Sequence, residues 1–247
     1  MSILYESFVI NLDRQPERFT QFRQWNGGCG LTIQRFAAVD GVTVNEATRR
    51  AVVTDEAYSA NPNKGGIGCR LSHKRLWEYA ARIVKPIAVF EDDAVLRLDI
   101  KTVLFPLIAG LRQLWDIILL GCNTDAVLNF HPSEKLQSTP LFSPYPTGAE
   151  LAAFQASTGQ VRLLRLSNSY GLCGYVISPL GAKRLLQLCF PIENRLLFIP
   201  GLGLRSYVGL DHTLNAHYSS ISAYMCWPPL VLSPNDPTRS ETLRSGQ

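Results

Sequence analysis

Apolar and polar positions fall into two kinds of block along this chain. Short apolar runs of strand length recur at 7–12 (SFVINL), 32–39, 85–90, 115–121, 161–166 and 172–178. Between them lie longer stretches patterned for helices. The clearest spans 69–84, where Leu71, Leu76, Trp77, Ala80, Ala81 and Val84 recur at helical spacing and predict one face packed on a sheet. A polar segment at 13–17 turns into another helix, and 44–60 and 100–114 predict two more. At 178–179, Ser178 is an N-cap residue followed by proline at the first position, so 179–188 reads as a further helix. Strands alternating with helices predict an α/β class: a mixed central sheet flanked by helices.

The pattern fails in three places, and each failure locates something. From 122 to 159, Pro132, Pro140, Pro144, Pro146 and Gly148 punctuate a polar stretch with room for one short helix at 150–155. A segment this long and irregular reads as a lid or acceptor loop. At 61–68, Asn-Pro-Asn-Lys-Gly-Gly-Ile-Gly predicts a loop that leads straight into the helix at Cys69. The apolar run at 196–204 is broken by Pro200, Gly201 and Gly203, and a compact element resumes at 208–212. The organisation expected is one domain over 1–232, with an irregular insertion at 122–159 and a polar tail at 233–247.

Composition narrows the class. The chain of 247 residues is 46% hydrophobic and 18% charged, which is globular rather than disordered. Its net charge of +4 suits anionic small ligands and is too small for a nucleic-acid binder. The six cysteines are scattered without metal-finger spacing and read as buried thiols in a reducing compartment. With no secretory signal pattern and no spanning apolar run, a cytoplasmic protein is expected, with peripheral contact to the inner face of a membrane.

Candidate chemistry concentrates in three groups. Three consecutive carboxylates, Glu91, Asp92 and Asp93, close the run at 85–90. Like charges ending a buried strand disfavour one another's ionisation unless a cation sits among them. On an extended backbone Glu91 and Asp93 share one face and Asp92 takes the other, giving hard oxygen ligands for magnesium or manganese on a substrate phosphate. The glycines at 65–68 with the following helix start offer backbone N–H groups to an anion, although no P-loop lysine follows. Asp211 and His212 close an apolar element and offer a general base or a metal ligand.

The stretches VINLDRQPER (9–18), FAAVDG (36–41), GGIGCRLSHKRLWEYA (65–80), IAVFEDDAVL (87–96), WDIILLG (115–121) and GYVISPLGAKRLL (174–186) together resemble glycosyltransferase family 25. That family includes bacterial lipooligosaccharide galactosyltransferases and animal procollagen galactosyltransferases, and the resemblance runs over roughly 7–215. It implies a GT-A-like nucleotide-sugar-binding fold, a divalent metal, and inverting transfer of a hexose, galactose foremost, from a donor such as UDP-galactose. The acceptor is a hydroxyl of a glycan, glycolipid or peptide. By the same resemblance Asn11, Leu12, Arg18, Ser72 and His73 belong to the donor side, and the mechanism built on it adds Arg14, Asp92, Gly174 and Tyr175 there. The resemblance gives Glu91 and Asp93 to the metal; Asp211, which keeps the family's carboxylate, is the candidate base, and His212 is a candidate metal ligand by its own chemistry. His212 stands where the family pattern has an acidic residue. A transferase fold kept only as a binding module is the alternative.

Overall fold

The computed structural model describes residues 6–142, 145–206, 209–234 and 236. The chain opens with β1 (Glu6–Asn11), α1 (Pro16–Asn26) and β2 (Ile33–Ala37), then two short helices, α2 (Glu46–Arg50) and α3 (Asp55–Ala60). The long α4 (Lys64–Ile83) leads to β3 (Ile87–Glu91), β4 (Val95–Leu96), α5 (Ile100–Ala109) and β5 (Ile117–Leu119). A hairpin of β6 (Asn129–Ser133) and β7 (Leu136–Ser138) is followed by α6 (Gly148–Ala156), β8 (Arg162–Asn168), β9 (Gly174–Ile177) and α7 (Pro179–Cys189). The last part holds β10 (Leu196–Ile199), β11 (Gly203–Ser206), α8 (Leu210–Asn215), β12 (Ala223–Trp227) and β13 (Val231–Leu232).

Nine strands form one mixed sheet in the order β2-β1-β3-β9-β5-β12-β8-β6-β7. β1 is parallel to β2 and β3, β9 is antiparallel to both β3 and β5, and β12 is parallel to β5. Hence β1, β2, β3, β5 and β12 all end at the same edge. Both faces are covered. Ile87 and Val89 of β3 pack with Trp77 and Leu185 on one side, while Ala88 and Phe90 pack with Phe22 and Leu104 on the other. Successive residues of a strand buried in opposite layers explain why β3 reads as a continuous apolar run rather than an alternation. A Gly174 side chain would press on Phe90 and Val231, so this glycine lets β9 sit close behind β3.

Two expectations need correction. The insertion at 122–159 is more regular than expected: β6 and β7 extend the sheet, with Pro132 at an irregular step of the β6–β7 register. Its helix α6 is fixed by a capping box between Thr147 and Glu150, and Gln155 Nε2 donates to Trp25 O at 2.8 Å. The glycines at 65–68 are likewise not a loop. They lie inside α4, which starts at Lys64 with Asn63 as N-cap, its side chain accepting from Gly66 N at 2.7 Å. A Cβ on Gly68 would stand 2.3 Å from Val39 O, and one on Gly41 would stand 1.7 Å from Lys64 O. These glycines exist so that the helix start and the turn after β2 can touch. Most of the polar tail expected at 233–247 lies outside the described residues, while Ser233 is buried.

Candidate functional site

At the edge where the parallel strands end, a cleft of about 1190 Å³ opens. Carboxyl ends of parallel strands are where open α/β sheets place ligands. Its walls come from 10–18, 38–42, 61–73, 91–93, 123–126, 146–151, 170–172 and 209–212, with Ser233 and Pro234.

The carboxylate triplet forms part of this wall. β3 ends at Glu91, and Ala94 N returns to Glu91 O at 3.1 Å, so Asp92 and Asp93 occupy a turn. The strict alternation expected over three residues therefore stops after the first step. Glu91 stays on the α4 side, its Oε1 3.5 Å from His73 Nε2. Asp92 faces α1, where it pairs with Arg18 and its Oδ2 accepts from Asn11 Nδ2 at 2.7 Å. Burial pushes the Asp92 carboxyl up, against the opposing pull of Arg18 and Asn11. Asp93 is the exceptional member. Burial first, and the Glu91 charge second, raise its pKa to about 6, with Ser233 bonding in the other sense. Its Oδ1 is buried and has no hydrogen-bond partner among the described residues.

The residues expected on the donor side divide into a wall and a frame. Leu12, Arg14 and Arg18 line the cleft, Arg14 held by Asp40 at 2.8 Å. Asn11 also borders it, but its side chain is spent: Nδ2 donates to Asp92 and Gln15 O, and Oδ1 accepts from Arg35. Ser72 is fully buried, donating to Gly68 O at 2.7 Å and accepting from Val39 N at 2.9 Å, so it ties α4 to the turn after β2. His73 is 1% exposed at the cleft floor. Burial opposes charge on its ring, yet Tyr175, Cys69 and Glu91 together raise its pKa well above the ordinary value. Gly174 and Tyr175 are not in the wall. Both lie inside the sheet, and the Tyr175 hydroxyl meets His73 Nδ1 at 2.9 Å and Trp77 Nε1 at 2.8 Å, so Tyr175 acts on the cleft through His73.

Across the cleft, Asp211 sits in the first turn of α8. Its Oδ2 accepts from Gly171 N at 3.1 Å and its Oδ1 from His212 N at 2.9 Å. Burial would raise the Asp211 carboxyl, but His212 and these backbone donors hold it below the usual range, so it is ionised at neutral pH. His212 Nδ1 lies 3.2 Å from Asp211 Oδ1, and its ring meets Tyr170 edge-on with centroids 4.8 Å apart. His212 is thus a neighbour of Asp211 rather than of the triplet. Among the described residues, the group of three side chains whose ligating atoms lie within 4.8 Å of one another is Cys69, His73 and Glu91, a trio without Asp93 or His212.

Sequence reasoning missed Cys69, Arg70, Tyr170 and Ser233. Arg70 is 4% exposed, borders the cleft and lies in the field of Asp211, with its pKa lowered by burial. A signal for Cys69 and Arg70 existed: both adjoin Ser72 and His73 on the same helical turn. Nothing local marks Tyr170 or Ser233.

The model of glycosyltransferase family 25 (LPS biosynthesis protein) matches residues 5–197. The chain is similar to a glycosyltransferase 25 family member of Anopheles gambiae, 27% identical over 190 residues, 73% of this chain and 28% of the relative. It is 28% identical over 192 residues to inactive glycosyltransferase 25 family member 3 of Mus musculus, again 73% of this chain and 28% of that protein. Procollagen galactosyltransferase 2 of Homo sapiens is 27% identical over 191 residues, 73% of this chain and 27% of its own length. The match spans less than a third of these relatives. With the family model covering most of its length and the mixed α/β sheet beneath the cleft, the chain belongs to glycosyltransferase family 25.

Proposed function

We propose that this chain is a cation-dependent inverting glycosyltransferase that moves a hexose, galactose foremost, from a nucleotide sugar such as UDP-galactose to a hydroxyl acceptor. The observation that carries this reading is the turn at Glu91-Asp92-Asp93 in the cleft wall, with a buried carboxylate oxygen that has no partner among the described residues. Such an oxygen costs free energy unless a ligand meets it. The donor set fits a divalent cation: Glu91 and Asp93 would hold Mn2+ or Mg2+. When bound, such an ion neutralises the charge that develops on a departing diphosphate.

The chain's own groups divide the remaining work. Arg18 and Asn11 hold Asp92 and so fix the turn that carries Asp93. Arg14 and Arg70 supply positive charge along the cleft for a diphosphate. Asp211, kept ionised, takes the proton of the acceptor hydroxyl as that oxygen attacks the anomeric carbon on the face opposite the leaving group, which inverts it. On this reading residues 1–232 form one catalytic domain, working in the cytoplasm or at the membrane's inner face. The acceptor is a glycan, a lipooligosaccharide or a peptide hydroxyl.

A second reading, a transferase fold retained as a carbohydrate- or protein-binding module, is favoured by the mouse relative, whose name declares it inactive. Incubation with Mn2+ and a panel of UDP-, GDP- and CMP-sugars separates the two. The transferase reading expects release of UDP or GDP, or of CMP from a CMP-sugar, with at least one donor. Absence of both turnover and calorimetric donor binding across the panel sinks it, while binding without turnover supports the module.

A further inference from the structure

Cys69 and His73 lie four residues apart on α4 and so share one helix face. That face looks at the end of β3, where Glu91 takes the same side of the sheet. The ligating atoms of the three side chains all lie within 4.8 Å of one another. His73 is buried among them with its two nitrogens given different tasks. Nε2 faces Glu91 at 3.5 Å, while Nδ1 is 2.9 Å from the Tyr175 hydroxyl. Trp77 Nε1 donates to that hydroxyl at 2.8 Å, and a phenol oxygen can accept a second hydrogen bond, from His73 Nδ1–H. With Nδ1–H so engaged, Nε2 is the nitrogen left facing Glu91, and a cation that displaces its proton meets an oriented ligand. Fixing one imidazole nitrogen by an outer hydrogen bond is how proteins orient a ligating histidine.

The helix is also held in place. Ser72 clamps it to Val39, and the Gly41–Gly68 contact allows the close approach, so Cys69 and His73 are positioned before any ligand arrives. One sulfur, one imidazole nitrogen and one carboxylate oxygen make a mixed donor set. Magnesium favours oxygen in octahedral array, whereas zinc and cobalt(II) accept sulfur and nitrogen in tetrahedral array with a fourth position open.

We propose that Cys69, His73 and Glu91 form a seat for a zinc-class divalent cation at the cleft floor, with its fourth position open to ligand. Glu91 is the residue this seat has in common with the Glu91–Asp93 pair. The proposal deepens the reading of the cleft as a cation-dependent donor site, and needs that reading for the ion's use but not for its binding. On binding, the Cys69 thiol proton and the proton on His73 Nε2 both pass to solvent, and the thiolate sulfur and the freed imidazole nitrogen take the ion.

The test is cobalt(II) titration of the chelator-treated full chain, followed by zinc competition. The expected result is one equivalent of cobalt with a near-ultraviolet thiolate charge-transfer band, which zinc abolishes. Cys69→Ser loses the band and binds zinc at least tenfold more weakly, while Cys122→Ser, a buried thiol outside the cleft wall, keeps both. Tyr175→Phe weakens zinc binding roughly tenfold through His73. Should Cys69→Ser fail to fold, mass spectrometry of the unaltered protein gives the same answer: zinc protects Cys69 from iodoacetamide. Cobalt bound without the band, no cobalt bound, or unprotected Cys69 each overturns the proposal. Donor turnover in manganese is measured on the same preparation. Turnover without a thiolate band removes the zinc-class seat and leaves the transferase, and a band without turnover does the opposite.

Discussion

Asp93, half-buried with its Oδ1 fully buried, and Asp116, buried, are carboxylates at opposite ends of one sheet, and their partners differ. Asp116, 1% exposed at the start of β5, has its charge met: Oδ2 accepts from Arg184 at 2.6 Å and from Ser222 N at 2.7 Å. Its own carbonyl takes Ser178 N at 3.0 Å, beside the N-cap of α7. Asp93, just past β3, keeps one buried oxygen without a partner among the described residues. A buried charge whose partners are complete is architecture, and one whose partners are incomplete points to something that binds.

The comparison can be broken by substitution. Asp116→Ala removes the acceptor of a buried backbone N–H and an ion pair, and should cost about 3 kcal/mol in urea unfolding. A loss under about 1 kcal/mol would refute its structural role. Gly68→Ala drives a methyl group into Val39 O and should cost about 2 kcal/mol. If the helix start instead shifts without loss of stability, the close approach is not a requirement.

Asp93→Asn should change stability least, within about 1 kcal/mol, because it removes a like charge from an under-partnered site. It should nevertheless abolish manganese-dependent donor binding in calorimetry. The pH response sharpens the point. With its pKa raised to about 6 from the ordinary 3.8, Asp93 binds its proton more tightly folded than unfolded. In metal-free buffer it therefore adds stability as pH falls below about 6, and withdraws it as pH rises through that value. Thermal melts between pH 7 and 4 should show this gain in the unaltered protein and lose it in Asp93→Asn.

How much of this was legible in sequence follows from how local each signal is. β1, β3, α4 and α7 announce themselves through apolar runs, helical spacing and the Ser178-Pro179 cap, all of which act within a few residues. The triplet was legible as a cluster of charge, and the opposite sides of Glu91 and Asp92 follow from strand geometry. The turn at Asp92-Asp93 did not, because it is fixed by Arg18 and Asn11 from another part of the chain. β12 and β13 were missed: Ala223–Trp227 is short and its alternation is hidden, since Ala223 and Met225 fill one core layer and Tyr224 and Cys226 the other. The glycines before Cys69 misled for a related reason. Their use is contact with Gly41 and Val39, not backbone freedom, and only the tertiary structure tells these apart.

The last described segment has a consequence for how the molecule is made. Leu230 N and Val231 N both bond to Leu120 O, β13 pairs with β4, and Ser233 then reaches the Asp93 carboxylate. The ends of β3 and β5 and the β4 strand thus wait for a segment far along the sequence before their surroundings are complete. Contacts of such long sequence separation form late and slowly. A nascent chain that has exposed only the residues before Leu230 can hold most of its sheet and yet have no finished cleft, so ligand competence waits for this segment to emerge and dock.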